Sequence, residues 1–163
     1  MMSGLLEERQ IIFTAQSKRD FFCRDVVCQY VFEQGGVPLN PFRAFDYFLS
    51  DRVPRDDVRI GNNNLIRLAD ELWIFGISIA DGVLFEIEYA HQLAKPVRFF
   101  TIGNRIGDIQ EVGTGQLVFE AQLIQATLRR IKPMNLSMGP KDFLLAIVRG
   151  ENPEQPSLFD WKE

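Results

Sequence analysis

The sequence predicts an α/β fold in which an open parallel sheet carries helices on both faces and C-terminal helices follow. Short apolar runs rich in β-branched and aromatic residues alternate with segments of helical periodicity, at the spacing typical of βαβ units. The chain has 163 residues, of which 46% are hydrophobic, enough to bury a substantial core. We therefore expect a single α/β domain over residues 1–163, with its core at about 10–132 and a C-terminal helix and tail at about 133–163.

Four strands and three helices make up the predicted parallel core. The strands are residues 10–15, 37–41, 71–76 and 96–102, and the helices are residues 17–34, 55–70 and 81–94. Ser17 is placed as the N-cap of the first helix, and Gly35 and Gly36 as its C-terminal caps. Ser78 and Asp81 have the S-x-x-D spacing of a capping box, which would start the helix at 81–94.

The remaining segments are less regular. The pattern of residues 41–50 predicts a helical turn or lid. That of residues 103–116 predicts a loop with room for a short strand. Residues 118–132 and 139–150 predict two further helices. The tail is polar and contains prolines, and its Trp161 is available to dock on a partner or on the body of the protein.

Composition excludes several classes of function. The net charge is −4 and the pI about 5.1, whereas a nucleic-acid-binding surface needs a basic excess or stripe. No run of about 18 apolar residues is present, and the first ten residues carry acidic groups where a signal peptide would be basic. We therefore expect a cytoplasmic protein with no nucleic-acid partner and no membrane partner.

Metal ligands are scarce along the chain. Cys23 and Cys28 lie five residues apart in a helical segment, and His91, the single histidine, is far from both. A metal site normally needs three or four such ligands, so we expect structural cysteines, no metal and no other cofactor. His91 falls between the two faces of its helix and is interpreted as an edge residue rather than a base.

Three loops are expected to line a ligand site, because ligands of open parallel sheets bind beyond the carboxyl ends of the strands. They are residues 16–20, 39–45 and 76–82, and they contain Asn40 and Gly82. Ser17, Lys18 and Arg19 start the first helix. Two interpretations fit these three residues: an anion site in which backbone N–H groups and the helix dipole favour phosphate, or a solvated helix N-terminus.

Glu86 occupies an unusual position for a carboxylate. At 100° per residue it projects at the margin of the apolar stripe of the helix at 81–94, whereas Glu88 falls on the polar face. An unpaired carboxylate at that margin would lose hydration or have a raised pKa. Either the helix dipole and an arginine stabilise its charge, or Glu86 is a catalytic carboxylate that faces a cleft.

Asp70, Asp81 and Glu86 bracket the third strand and its loop. At the anomeric carbon of a sugar, one such carboxylate can act as the nucleophile and another as the acid or base, as in retaining glycosidases. Asp70 and Asp81 also fit a simpler interpretation, in which each caps the end of a helix.

Two segments, "LADELWIFG" and "ADGVLFEIEYAHQLAKPV", carry a family resemblance. They are similar to the pattern of the nucleoside 2-deoxyribosyltransferase-like superfamily, which includes deoxynucleoside 5′-monophosphate N-glycosidases. That pattern is an aspartate before an apolar strand, a small Asp/Ser-Gly loop, then Glu-[Ile/Leu]-x-Tyr-Ala and a Lys-Pro-Val strand entry. "GGVPLNP" resembles the family's Gly-x-x-Val-x-x-Pro segment. The resemblance covers about residues 10–102 and implies a flavodoxin/Rossmann-like fold assembled as a homodimer or larger homo-oligomer.

The resemblance also implies cleavage or exchange of the N-glycosidic bond of a nucleoside or nucleotide. Glu86 would be the nucleophile that attacks C1′, and Asp81 or Asp70 would contact the base and assist its protonation. The residues expected to bind the substrate are Phe13, Ser17, Arg19, Asn40, Gly82 and Tyr89.

The first strand departs from the family pattern. Transferases of the family carry Tyr-x-Ala-Gly-Pro there, where this chain has "FTAQS" at residues 13–17. Phe13 cannot donate the hydrogen bond that the tyrosine hydroxyl makes near the nucleophile, and Gln16-Ser17 followed by two cations favours a phosphate-bearing substrate. The alternative is a non-catalytic nucleotide-binding or sensory module with the same fold, which the loss of the tyrosine also favours.

Overall fold

A five-stranded sheet lies at the centre of the computed structural model, which describes residues 3–45, 52–151 and 153. In spatial order its strands are β2 (Val37–Leu39), β1 (Ile11–Gln16), β3 (Glu71–Phe75), β5 (Val97–Phe100) and β6 (Glu111–Val112). The first four strands are parallel, and β6 runs antiparallel to β5. The predicted α/β fold with an open, mostly parallel sheet is confirmed.

Helices cover both faces of this sheet, as the alternation of segments predicted. They are α1 (Arg24–Glu33), α2 (Pro41–Ala44), α3 (Arg55–Leu68), α4 (Asp81–Gln92), α5 (Ala121–Ile131) and α6 (Pro140–Val148). On one face, α1 packs Val27 and Val31 into a cluster with Trp73 and Phe100. On the other face, residues of α3, α4, α5 and α6 share a larger core with Phe13 and Ile74. Side chains that alternate along β1 and β3 supply the two cores.

The strand order contains a switch in direction. The chain passes from β1 outward to β2, returns across β1 to β3, and continues in the same direction to β5. If the four parallel strands are counted in chain order, so that β5 is the fourth, their spatial order is 2-1-3-4. This is the order of flavodoxin-like sheets. The loops that follow β1 and β3 therefore leave the sheet toward opposite faces, and the carboxyl edge between them, the switch point, is where sheets of this kind are expected to hold a ligand crevice.

A second, two-stranded parallel sheet holds the start of α4. It pairs β4 (Ser78–Ile79) with β7 (Val118–Phe119), and the backbone N–H of Glu120 donates to the Ile79 carbonyl at 3.1 Å. Two predictions are therefore wrong. Ser78 does not cap α4, whose N-cap is Ala80, and the helix predicted at 118–132 begins only at residue 121. In both segments the backbone is committed to strand pairing, which helical periodicity does not reveal.

The first predicted helix is divided in two. A 3-10 helix at Lys18–Cys23 precedes α1, because the Gln16 side-chain amide donates to the Asp20 carbonyl at 2.6 Å and the Arg24 N–H bonds the Phe21 carbonyl instead. The predicted Ser17 cap is confirmed, since its hydroxyl accepts from the Arg19 N–H at 3.3 Å. Gly35, at φ +86°, ends α1 in the left-handed conformation that glycine adopts without strain.

The C-terminal region belongs to the main core. Phe143, Leu144 and Val148 of α6 are fully or almost fully buried against it, so the core extends beyond the predicted limit at residue 132. The predicted loop at 103–116 holds the short strand β6. Residues 46–50 of the predicted lid and most of the tail, including Trp161, lie outside the described residues. Within the described ranges, no helix is long and apolar enough to cross a membrane.

Candidate active site at the carboxyl edge

A buried chain of polar side chains connects the carboxyl ends of β1 and β2. Asn40, which is 3% exposed, donates from Nδ2 to Thr14 Oγ1 at 2.9 Å and to Gln16 Oε1 at 3.0 Å. Its Oδ1 accepts from the Phe42 N–H at 3.0 Å and so caps α2. Asn40 thus joins the carboxyl ends of β1 and β2 and supports the loop between β2 and α2.

Asp20 lies at the switch point, between the segments that follow β1 and β3. Its Oδ2 is 3.5 Å from the position that a Cβ would take at Gly76, the first residue after β3. Gly76 has φ +103°, a conformation that side-chain-bearing residues rarely adopt. Partial burial raises the pKa of the Asp20 carboxyl, and the charge of Arg19 opposes that rise. The predicted loop at 16–20 contained Asp20, but its carboxylate was not recognised as a site residue.

An ion pair spans the mouth of the crevice. Arg19 Nη2 lies 3.4 Å from Glu120 Oε1, and the Arg19 side chain is 77% exposed. Glu120 follows β7 directly and was not predicted, because the C-terminal third matches no family pattern. Since exposed ion pairs contribute little net stability, the Arg19 guanidinium remains available to an anionic ligand.

Glu86 is a partly buried carboxyl group in the second turn of α4. It is the sixth residue of the helix and lies about 7.5 Å along the axis from the first. Among the residues that the structure describes, none donates a hydrogen bond to its carboxyl group. Desolvation therefore acts without compensation and raises the pKa of Glu86 from 4.5 to about 8. The arginine partner of the simpler interpretation does not appear in the described part of the chain.

Gly82 and Tyr89 are the neighbours of Glu86 on the surface of α4. Side chains of a helix lean toward its N-terminus, so Gly82, four residues earlier, is the neighbour on the side of the crevice. A Cβ at Gly82 would meet no atom within 4 Å, so the space there is open. Tyr89 is half-buried and packs against the main core. Glu88, predicted on the polar face, is half-buried with Oε2 inaccessible to solvent.

The two candidate aspartates lie at opposite edges of the sheet. Asp81 is the exposed first residue of α4, and its Oδ1 accepts from the Gly82 N–H at 2.7 Å. Asp70 precedes β3, where its Oδ2 accepts from the Ile11 N–H at 2.7 Å. β3 has five residues, so Asp70 is about 15 Å from the carboxyl edge. The structure does not bring Asp70 to Glu86, because a residue before a strand lies at its amino end.

Phe13 does not line the crevice. Its side chain is 0% exposed in the middle of β1 and belongs to the main core, so contact with a substrate would require the core to open. Ser17 is half-buried at the edge of the crevice, and its hydroxyl is engaged as the N-cap. The 3-10 helix that follows is only six residues long, so the dipole argument for an anion site there is weaker than the sequence suggested.

In the part of the chain that the structure describes, the two cysteines and the histidine do not take part in a metal site. Among the described residues, no group of three or more His, Cys, Asp or Glu side chains could hold a metal ion. Burial is the main cause of the raised pKa of both thiols, which keeps Cys23 and Cys28 protonated and unreactive. His91 Nε2 bonds to the Val148 carbonyl at 2.8 Å and joins α4 to the end of α6.

Two surface depressions lie away from this crevice. One of about 420 Å³ is lined by Leu128, Arg129, Ile131 and Lys132 of α5 and the residue after it. The other, of about 120 Å³, lies between β7, α5 and α6. Neither is lined by a carboxylate, so the candidate chemistry remains at the carboxyl edge.

The stability of the folded protein is expected to decrease as the pH rises through the range in which Glu86 titrates. The folded state holds the Glu86 proton up to about pH 8, whereas an ordinary glutamate loses it near 4.5. The folded state therefore binds more protons between these values, and its free energy of unfolding falls with rising pH. The upper limit is about 5 kcal/mol, reduced where water reaches the carboxyl group.

Urea unfolding of the wild-type protein and of Glu86→Gln at pH 4.5, 6 and 8 measures this effect. The variant should gain about 2–4 kcal/mol relative to the wild type between the lowest and the highest pH, because glutamine does not titrate. Equal pH dependence of the two proteins would show that the Glu86 carboxyl is hydrated in solution.

The fold is that of an α/β protein with a flavodoxin-like sheet, and the carboxyl groups of Asp20 and Glu86 belong to the segments that follow β1 and β3. The sequence model of the family DUF7768, described as a domain of unknown function, matches residues 13–100. The chain therefore belongs to this family, and the matched region runs from β1 to β5 and includes Asp20, Asn40 and Glu86. Comparison with curated proteins found no match.

Proposed function

We propose that this protein cleaves or exchanges the N-glycosidic bond of a nucleoside or nucleotide through a covalent glycosyl intermediate on Glu86. The observation that carries the proposal is the Glu86 carboxyl itself. It is partly buried, receives no hydrogen bond from any described residue, and lies in the helix that follows β3 beside the open space at Gly82. The resemblance of "ADGVLFEIEYAHQLAKPV" to nucleoside 2-deoxyribosyltransferase-like proteins supplies the reaction class.

Desolvation of Glu86 makes its carboxylate more nucleophilic but lowers the fraction of the group that is ionised. A carboxylate with a pKa of about 8 is more basic, and hence more nucleophilic, than an ordinary glutamate. At pH 7, however, only about one tenth of such a group is ionised. Positive charge that develops at C1′ in the transition state favours the carboxylate and offsets part of this loss. Attack by water on the intermediate completes hydrolysis, and attack by a second base completes exchange.

The crevice suits a substrate that carries a phosphate. Arg19 is largely exposed at its mouth, and its ion pair with Glu120 is of the solvent-screened kind that a phosphate can replace. Asn40 holds the adjoining loop through the Thr14 and Gln16 side chains. We also propose that the protein is cytoplasmic and assembles as a homodimer or larger homo-oligomer, as members of the resembling family do.

Base release from a substrate panel tests the proposal. Purified protein is incubated with ribo- and deoxyribonucleosides and their 5′-monophosphates, with and without a second free base, and released base is followed by chromatography. We expect release from at least one monophosphate, faster than from the matching nucleoside, and no release by Glu86→Ala. No release from any member of the panel by the wild-type protein would refute the proposal.

A non-catalytic nucleotide-binding or sensory module is the second candidate. It is favoured by Phe13, which supplies no hydroxyl to orient Glu86, and by the absence of any other described donor to that carboxyl group. In that case nucleotides would raise the melting temperature without release of base, and Glu86→Gln would leave their affinity nearly unchanged.

A further inference from the structure

Asp20 places a second carboxyl group at the switch point. Its Oδ2 is 3.5 Å from the Cβ position of Gly76, and its main chain is held from two sides. The Asp20 N–H donates to the Ser17 carbonyl at 2.9 Å, and its carbonyl accepts from the Gln16 side chain at 2.6 Å. Since Asn40 in turn binds Gln16, contacts to the main chain of Asp20 hold this residue in place and leave its carboxyl group uninvolved.

The Asp20 carboxyl group has no hydrogen-bond or ion-pair partner among the described residues. Within the described ranges it accepts no hydrogen bond and forms no ion pair closer than 4 Å. Other aspartates near the sheet edges differ in this respect, since Asp70, Asp81 and Asp108 each accept from a backbone N–H. A partly buried carboxyl group without a hydrogen bond destabilises the fold. Such a cost is typical of groups that meet a ligand.

We infer that Asp20 is the proton donor to the leaving base, the role that the family resemblance implies for Asp70 or Asp81. This inference rests on the proposed function. As the C1′–N bond breaks, its electron pair stays on the base nitrogen, the carboxyl proton of Asp20 moves to the base, and the Glu86 carboxylate bonds to C1′. Asp20 then takes a proton from the attacking water, whose oxygen bonds to C1′ as the Glu86 ester bond breaks. One water is consumed, and both carboxyl groups return to their starting states.

A leaving group that needs no proton tests the inference. Asp20→Asn is assayed with guanosine or its monophosphate and with the N7-methylated analogue, whose base leaves as a neutral molecule without protonation. With the unmodified substrate we expect kcat/KM to fall by about 10²- to 10⁴-fold, the usual size of a general-acid contribution. With the methylated substrate we expect a change of at most about threefold. Asp142→Asn, a substitution of an exposed aspartate in the first turn of α6, should match the wild type on both.

Two results would overturn the inference alone, provided that the wild-type protein is active. One is unchanged activity of Asp20→Asn on the unmodified substrate, and the other is an equal loss on both substrates, which a merely structural role would produce. Circular dichroism and thermal unfolding establish that the variant is folded, and Asp20→Ser, assayed in the same way, replaces it if it is not. Wild-type protein inactive on both substrates would overturn the inference, and inactivity across the full panel would also refute the proposed function.

Discussion

Glu86→Gln should lower kcat for base release by about 10³-fold or more while the protein remains folded. Glutamine has nearly the same volume as glutamate, so the packing of α4 is preserved, but an amide does not form the glycosyl ester. Glu33→Gln is the matched control, because Glu33 is exposed at the end of α1, at the opposite edge of the sheet. The control should retain the wild-type rate. A Glu86→Gln variant with more than one tenth of that rate would contradict a covalent role for this residue.

The pH profile of the wild-type protein identifies the role of Glu86. On the N7-methylated substrate, whose base needs no proton, a nucleophilic Glu86 reacts when ionised, so kcat/KM should rise with pH and level off above about 8, the pKa of the free group. A rate on this substrate that falls above that pH would contradict a nucleophilic role for Glu86. Intact-mass measurement during turnover of a slow substrate adds a second observation, since the covalent intermediate should increase the mass by one glycosyl group.

Asn40→Ala should lower the free energy of unfolding by about 2–4 kcal/mol. The substitution removes the cap of α2 and leaves the buried Thr14 hydroxyl and Gln16 carbonyl oxygen without their amide donor. Both groups are almost completely buried, so water cannot replace the lost bonds without a structural change. The expected effect is large because one side chain connects two strands and the start of a helix.

Urea unfolding monitored by circular dichroism measures this effect as a lower midpoint at an unchanged slope. Asn64→Ala serves as the control, since Asn64 is exposed on α3 and, among the described residues, bonds only within its own helix. Alanine is the better helix former, so the control should stay within about 0.5 kcal/mol of the wild type. A loss below about 1 kcal/mol for Asn40→Ala would show that the polar chain is replaced by water in solution.

Several features of the site could be predicted from local sequence because their causes are local. Ser17 caps the first helical segment, and Gly35 ends α1, as short-range patterns indicated. Strand direction alone also argues against contact of Asp70 or Phe13 with a ligand at the carboxyl edge. A residue before a strand lies at its amino end, and a residue in the middle of a buried strand, such as Phe13, lies in the core.

The sequence by itself determined the alternation of strands and helices, the carboxyl edge as the place of the crevice, and the marginal position of Glu86, because periodicity and chain direction are local properties. Only the tertiary structure decided that residues 77–79 pair with residues 118–120, that Asp20 meets Gly76, and that Glu86 loses its hydration without a described partner. These features depend on contacts between segments far apart in the chain, and the burial of a carboxyl group is a property of everything packed around it.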